Sequence, residues 1–366
     1  LGLFLDLKKA FDTVQHDILI KKLDMYGVRG IALNLIKSYL CDRHQYVDIN
    51  GIASSKMRIL YGVPQGSILG PFLFLVYIND ITSVTGFTDI VLYADDTNVF
   101  FTGANKASLE KAANEYLLKL SGWLLNNKLS LNTSKTKYII FKPINRRDYS
   151  TINVTYDGTL IEQVKEQKFL GVWFSEELSW TTHVNNKLKA DLALITGSIY
   201  TIRNLIPTSL KQVLYYSLFY SRLSYGILVW GTTTAYNYKK LIVAQKKVLR
   251  LCENYKGDRR NLRTGPLFVK YNMLKANQVY YFKLLQWVHR NKLHIHLGQY
   301  SSTYPIREPK RKVPMIRTNY GSQTLTFQTT KLLNSFGMHM DFNKPFTIFK
   351  YECRHFLVNS AISYTT

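Results

Sequence analysis

The residues in this chain best suited to chemistry are Asp95 and Asp96. They are adjacent carboxylates inside the run Val91-Leu92-Tyr93-Ala94-Asp95-Asp96-Thr97-Asn98-Val99-Phe100. The apolar stretches on either side read as two short strands, which makes Ala94-Asp95-Asp96 the tight turn of a hairpin. Like charges repel, and either one buried without a partner carries a large desolvation cost. A rigid hairpin tip carrying such a pair suits a cation, and oxygen-only ligands suit a hard divalent ion such as Mg²⁺. For Asp-Asp alone, a solvated turn is the competing reading, because Asp is common in turns.

Other residues shift that balance. Leu1-Gly2-Leu3-Phe4-Leu5-Asp6-Leu7 is a buried-strand pattern with one carboxylate near its end. The loop Tyr61-Gly62-Val63-Pro64-Gln65-Gly66-Ser67-Ile68-Leu69-Gly70-Pro71 clusters glycines that permit a ligand to approach the backbone closely. Lys135 follows the hairpin, with Lys137 two residues on. Asp6, Asp95 and Asp96, the glycine-rich loop and a lysine form one coherent set. Two Mg²⁺ about 3.5–4 Å apart could activate a primer 3′-hydroxyl and stabilise a pyrophosphate leaving group. Phosphoryl transfer relies on positioning and charge neutralisation, so metal-holding carboxylates matter more than a protein nucleophile. No Gly-Lys-Ser/Thr phosphate loop is present, which argues against a nucleotidase of that type. Asp12 and Asp80 read as structural, a cap or a buried pair. Cys353 with His355, and His294 with His296, lack the third and fourth partners of a metal site. The three widely spaced cysteines fit a reducing compartment.

The elements that must position these groups follow from periodicity. After the first strand, a helix carries Ile18, Leu19, Leu23 and Tyr26 on one face and stops at Gly27. A second helix spans about 31–41. Residues 45–60 form a hairpin around Asn50-Gly51. Pro71 opens a helix running to Asp80. Leu109, Ala113, Tyr116, Leu117, Leu120, Trp123 and Leu124 recur at helical spacing as a core face, and 129–141 returns as a strand. The order strand, helix, strand, strand, helix, strand predicts an α+β unit, a split βαβ sheet with helices behind. In that layout Asp6 and the Asp95-Asp96 tip can lie on adjacent strands. Asn145-Arg146-Arg147-Asp148 is a plausible boundary, and 155–160 is a hairpin signal that leads to Phe169-Leu170-Gly171-Val172-Trp173-Phe174. Helices are predicted over 183–202, 207–220, 238–251 and 274–288. The tail from Tyr320 carries no legible chemistry. This gives segments 1–145, 146–180, 181–290 and 291–366.

The 366 residues are 46% hydrophobic, enough for a sizeable core, yet carry a net charge of +24. With 26 Tyr, 19 Phe and 5 Trp, that charge suits a polyanion with stackable bases. Lys239-Lys240, Lys246-Lys247, Arg250 and Arg259-Arg260 mark a basic track, with Tyr215, Tyr216, Tyr220 and Tyr225 interleaved. Arg307, Lys310, Arg311 and Lys312 add to it. No apolar run is long enough to span a bilayer, Pro71 to Ile78 being the most apolar stretch, so no membrane partner is expected. The chain begins inside a core strand and without Met, so a preceding segment is expected.

Taken in order, Phe4-Leu5-Asp6 with Ala10-Phe11-Asp12, Gly62-Val63-Pro64-Gln65-Gly66-Ser67, Tyr93-Ala94-Asp95-Asp96, Leu131-Asn132 with Lys135-Thr136, and Phe169-Leu170-Gly171 resemble motifs A to E of reverse transcriptases. The overall style is most similar to non-LTR (LINE-type) retrotransposons of the jockey and chicken-repeat kind. Trp180, His183 and Tyr225-Gly226-Val229-Trp230-Gly231 add to the likeness, which covers most of residues 1–290.

The resemblance implies a right-hand polymerase palm followed by a mainly helical thumb, with the fingers largely missing. It implies Asp6, Asp95, Asp96 and the Leu7 carbonyl as ligands of two Mg²⁺, with Mn²⁺ an alternative. Gln65 and Gly66 line the pocket for nucleotide and template, Lys135 protonates pyrophosphate, and Phe169, Leu170 and Gly171 grip the primer. Phe11, five residues after Asp6, lies under the incoming sugar, where a ring would collide with a ribose 2′-hydroxyl and favour deoxyribose. A core aromatic is the plainer reading of the same residue. Implied partners are an RNA template, a DNA primer or target and dNTPs. An intracellular place is implied, in nucleus and cytoplasm as a ribonucleoprotein with the element RNA. Oligomeric state is left open. The upstream fingers strands and the apurinic-type endonuclease do not precede Leu1, so a fragment of a longer reading frame or a decayed copy is expected, weak or inactive alone. Two alternatives stand beside this reading, a catalytically silent nucleic-acid-binding relic and a group II intron-type reverse transcriptase.

Overall fold

The computed structural model describes residues 1–84, 89–143, 151–253, 255, 262–296 and 311–360. The polar break at 145–148, Arg259-Arg260, Arg307 and Lys310 lie outside the described residues. The chain divides into two compact units, Leu1–Gln167 and Lys168–Thr366.

The first unit is built on a five-stranded sheet. Its strands are β1 (Gly2–Leu5), β2 (Asp89–Tyr93), β3 (Asp96–Phe100), β4 (Lys137–Ile139) and β5 (Glu162–Gln163), in the order β5-β4-β1-β3-β2. β1 runs antiparallel to both β3 and β4, and β5 runs parallel to β4. All four residues of β1 are buried, as a strand with neither face alternating to polar residues requires. Among the described residues this unit has four α-helices: α1 (His16–Met25), α2 (Gly30–Leu40), α3 (Leu69–Ile78) and α4 (Lys106–Asn126). α4 opens on a reciprocal cap between Asn105 and Ser108, which satisfies otherwise orphaned amides. Its buried residues Leu109, Ala113, Tyr116, Leu117, Leu120 and Leu124 form the helical stripe expected from spacing. They share one core with Leu3, Leu19, Leu23, Phe74, Tyr77, Val99 and Tyr138.

Asp80 is structural. Lys22, buried on α1, donates to the Asp80 carboxylate at 2.7 Å and to the Tyr77 carbonyl at 2.6 Å. The hairpin around Asn50-Gly51 is present, both turn residues having positive φ. Two local expectations fail. Tyr26 is exposed beyond the end of α1 rather than on its buried face. The strand expected over 129–141 is only three residues long, because 132–136 folds into a turn held against Asp6.

The second unit is mainly helical after the strand Val172–Ser175, which pairs with Glu166–Phe169. The four predicted helices are present, but π-helical turns replace α-helix at His183–Leu188 and Tyr215–Tyr220. Two further helices, Leu325–Phe336 and Phe346–Asn359, come from the tail. Their Leu332, Leu333, Phe336, Phe349 and Leu357 join the core around Val279 and Leu285. No described helix is long and apolar enough to cross a membrane.

Candidate active site

The strand register of β1 and β3 sets the relation between the acidic residues. Leu5 pairs with Thr97 and Leu3 with Val99. Asp6 directly follows Leu5 and Asp96 directly precedes Thr97, so the two carboxylates stand together at the end of this pairing. On its other side β3 pairs Asp96 with Tyr93 of β2, so the hairpin turn is the two residues Ala94 and Asp95 rather than three. Ala94 has φ +53°, a left-handed conformation that costs an L-residue about 1–2 kcal/mol. That strain sits at the tip carrying Asp95, where backbone strain commonly accompanies function.

Asp95 and Asp96 are exposed and Asp6 is half-buried. The Asp96 carboxyl is nonetheless held above its usual range, first by partial burial and then by the charges of Asp95 and Asp6. Asp96 therefore feels the charges of both Asp95 and Asp6.

Asp6 is locked from the β4 side. Asn132 donates its backbone N–H to the Asp6 carbonyl at 2.7 Å and its Nδ2 to Asp6 Oδ2 at 2.9 Å. The Asp6 N–H donates to Thr136 Oγ1 at 3.2 Å, and Thr136 is fully buried. Leu7 forms a single antiparallel bridge with Leu131. Ser134 Oγ braces Asn132 Oδ1 at 2.8 Å. Lys135 lies exposed in the same turn, so the element that fixes Asp6 also carries the candidate proton donor. Sequence reasoning quoted Asn132 and Thr136 as motif residues but gave them no role. The available signal was their type, since Asn and Thr favour turns stabilised by their own side chains.

A second group forms around Phe11. Phe11 is half-buried, its ring 4.4 Å from that of Phe74 in α3. The glycine-rich loop is stitched beneath it. The Val63 N–H donates to the Phe11 carbonyl, Gly62 N–H to Val14, and Gln65 Nε2 to Asp12 Oδ1 at 2.8 Å. Gly62 has φ +91°, and a Cβ there would meet the Asp12 carbonyl oxygen at 2.8 Å, so the close approach demands glycine. Gln65 and Gly66 are exposed, and Gly66 has φ +78°. Asp12, read as a cap or buried pair, is instead the anchor of Gln65.

Among the described residues no three His, Cys, Asp or Glu side chains gather into a self-sufficient metal cage. Magnesium seldom uses such a cage. It is held by one or two carboxylates, with water and substrate phosphates completing the octahedron. The oxygen-only donors and the mutual repulsion recorded at Asp96 fit that mode.

Phe169, Leu170 and Gly171 occupy the tip of the hairpin that joins Glu166–Phe169 to Val172–Ser175. Leu170 and Gly171 both have positive φ, a two-residue turn. Tyr225 Oη donates to the Leu170 carbonyl at 2.7 Å, and a Cβ on Gly171 would lie 3.1 Å from the Tyr225 ring.

Residues 1–174 match the family described as reverse transcriptase (RNA-dependent DNA polymerase). The RNA-directed DNA polymerase from mobile element jockey of Drosophila melanogaster is 31% identical over 258 residues, covering 68% of this chain and 28% of the relative. The probable RNA-directed DNA polymerase from transposon X-element of the same species is 27% identical over 326 residues, 86% of this chain and 35% of the relative. A solved telomerase from Candida albicans, in complex with a fragment of telomeric RNA, covers 74% of this chain and 47% of that chain at 13% identity; its TM-score of 0.28 is too low to bear on the fold. The chain thus spans roughly a third of the length of the curated relatives it matches. Through residues 1–174 it belongs to the reverse transcriptase family, in the group of non-LTR, LINE-type retrotransposon enzymes.

Proposed function

We propose that this chain carries the nucleotidyl-transfer centre of an RNA-directed DNA polymerase, which extends a DNA primer 3′-hydroxyl along an RNA template. In this reading residues 1–145 are the palm, 146–180 the hairpins with the primer grip, 181–290 the helical thumb and 291–366 a basic tail. The observation that supports the reading is the β1–β3 pairing, which ends at Leu5 and Thr97, next to Asp6 and Asp96 and beside the strained tip bearing Asp95.

Asp6, Asp95 and Asp96, with the Leu7 carbonyl, would hold two Mg²⁺ or Mn²⁺. When bound, the ions supply an activated primer hydroxyl and neutralise the charge developing on pyrophosphate. The protein's share is positional. Asn132 and Thr136 keep Asp6 in one orientation. Phe11, wedged on Phe74, presents a rigid ring where a 2′-hydroxyl would sit. Gln65, held by Asp12, and Gly66 present a narrow surface to nucleotide and template. Lys135 donates a proton to the leaving pyrophosphate, and Phe169 to Gly171 bear on the primer backbone. RNA template, DNA primer and dNTPs are the partners of this reading, with the element RNA in a ribonucleoprotein of nucleus and cytoplasm.

The test is primer extension on an RNA template with Mg²⁺ and dNTPs, by this chain and by the chain with the upstream part of its reading frame restored. Weak or absent synthesis is expected from residues 1–366 alone, and Mg²⁺-dependent synthesis from the longer chain. Asp95→Asn should abolish it, and extension at the unmodified rate by that variant overturns the metal assignment. A readout free of turnover is Fe²⁺-directed backbone cleavage, which should cut near residues 6 and 95–96. The +24 charge supports a second reading, a binding module without catalysis. Salt-sensitive RNA binding with no extension even by the longer chain would favour it.

A further inference from the structure

Two helices of the second unit, Ala276–Arg290 and Phe346–Asn359, pack side by side. Lys283 and Arg290 stand seven positions apart on one, and Lys350 and Arg354 four apart on the other, so each pair repeats along a helix face. At 1.5 Å per residue, these pairs span about 10 Å and about 6 Å. Arg354 donates to Tyr216 Oη at 3.0 Å, and its guanidinium lies 5.2 Å from the centre of the Phe282 ring. The Arg290 guanidinium lies 4.2 Å over the Phe346 ring. Both arginines are therefore oriented by rings and neutral oxygen.

Among the described residues none of the four cations pairs with a carboxylate, and Glu352, on the same helix as Lys350, is engaged by Lys344 at 2.7 Å. Burial, together with the charges of Lys350, Arg290 and Arg354, holds the Lys283 ammonium below its usual range. Crowded like charges raise the free energy of the empty protein, and a polyanion seated across them would lower it.

We propose that Lys283, Arg290, Lys350 and Arg354 form a binding site for the sugar-phosphate backbone of a nucleic acid strand. A strand presents one charge per about 3.4 Å of axis, so a 10 Å run of cations faces roughly three consecutive phosphates. The cluster is four cations in a row along two helices, and phosphate charge is the same whatever the base, so the contact proposed is to the backbone and independent of sequence. RNA and DNA share this chemistry, and neither is favoured by the four residues. Lys350 and Arg354 lie in the tail from Tyr320, which carries no legible chemistry in the sequence. The site stands independently of the carboxylate chemistry.

The experiment uses the full chain in EDTA, which removes any metal-dependent contribution. Binding of fluorescein-labelled 20-nucleotide RNA and DNA strands is titrated between 50 and 200 mM salt. Arg290→Gln with Lys350→Gln changes two exposed residues. Lys21→Gln with Lys119→Gln on helices of the first unit is the charge-matched control. Losing two phosphate contacts should lower the salt slope for both strands by about 1.4, so fourfold more salt costs the variant about sevenfold less affinity than the unmodified chain. The control should keep the original slope. Equal slopes for variant and control overturn the proposal. A loss confined to inorganic pyrophosphate, or to vesicles of phosphatidylcholine and phosphatidylserine, overturns it too, since each assigns the cluster to another anion.

Discussion

Asn132 grips Asp6 twice, main chain to main chain at 2.7 Å and side chain to carboxylate oxygen at 2.9 Å. The side-chain bond is to Oδ2 and does not use Oδ1. A hydrogen bond to a charged group contributes about 1.5–3 kcal/mol. In the longer, synthesising chain, Asn132→Ala should therefore lower extension on the order of tenfold to a hundredfold. The loss should come with a raised Mg²⁺ requirement while KM for the primer stays level. A purely structural role would shift thermal stability and leave the metal requirement unchanged.

Asp96 gives a pH-dependent prediction. Its carboxyl is held above the ordinary range by burial, Asp95 and Asp6, so the folded state binds this proton more tightly than the unfolded state. Its contribution is most favourable at acid pH and is lost as pH rises through the folded value. Asp96→Asn should then raise the melting temperature of the metal-free protein at pH 7.5. The gain should shrink toward pH 4 and on adding Mg²⁺, which relieves the same repulsion. Melting curves in EDTA and in Mg²⁺ at the two pH values measure it, and an unchanged gain under all conditions counts against a shared cation.

Phe11 serves both packing and selection in the proposed reading, and the two are separable. Shortening a half-buried aromatic that touches Phe74 should cost about 1–3 kcal/mol of stability. Phe11→Val should also raise incorporation of rNTPs relative to dNTPs in the longer chain by at least about tenfold. Phe74→Leu removes the same ring contact without touching the proposed sugar site. If both variants lose stability but neither changes sugar choice, Phe11 is a packing residue alone.

What could be read from the sequence follows from how local its cause is. The Asp95-Asp96 hairpin was legible because alternation and turn chemistry are short-range, and α4 because its apolar stripe repeats over 21 residues. The turn at 132–136 was hidden by Thr133, Thr136, Tyr138 and Ile139, which favour strands. The turn is selected by its local bonds, such as the Thr136 N–H to the Asn132 carbonyl at 2.9 Å, together with the tertiary bonds to Asp6. The helix Leu325–Phe336 was missed for a related reason: its Thr326, Thr329 and Thr330 are weak helix formers, outweighed by burial of Leu332, Leu333 and Phe336. The shortening of the hairpin turn to Ala94-Asp95 depends on the register with Tyr93, which no local pattern reports.

His183 supplies a last prediction, in the second unit. It is buried against Trp230 with ring centres 5.6 Å apart, and its Nδ1 faces the Trp173 N–H at 3.5 Å. A donor facing Nδ1 needs a lone pair there, so the fold requires the neutral ring. Burial accordingly lowers its pKa to about 4, with Asp191 opposing. The folded value lies below the unfolded one near 6.5, so the stabilisation is full above pH 6.5 and is lost as pH falls toward 4. His183→Gln keeps an acceptor and removes the titration. Between pH 7 and 4.5 the unmodified chain should lose about 2 kcal/mol more stability than the variant in urea unfolding followed by Trp fluorescence. Parallel losses in the two proteins would place the acid sensitivity elsewhere, in carboxylates such as Glu253, whose pKa is lowered by Lys270 and Tyr271.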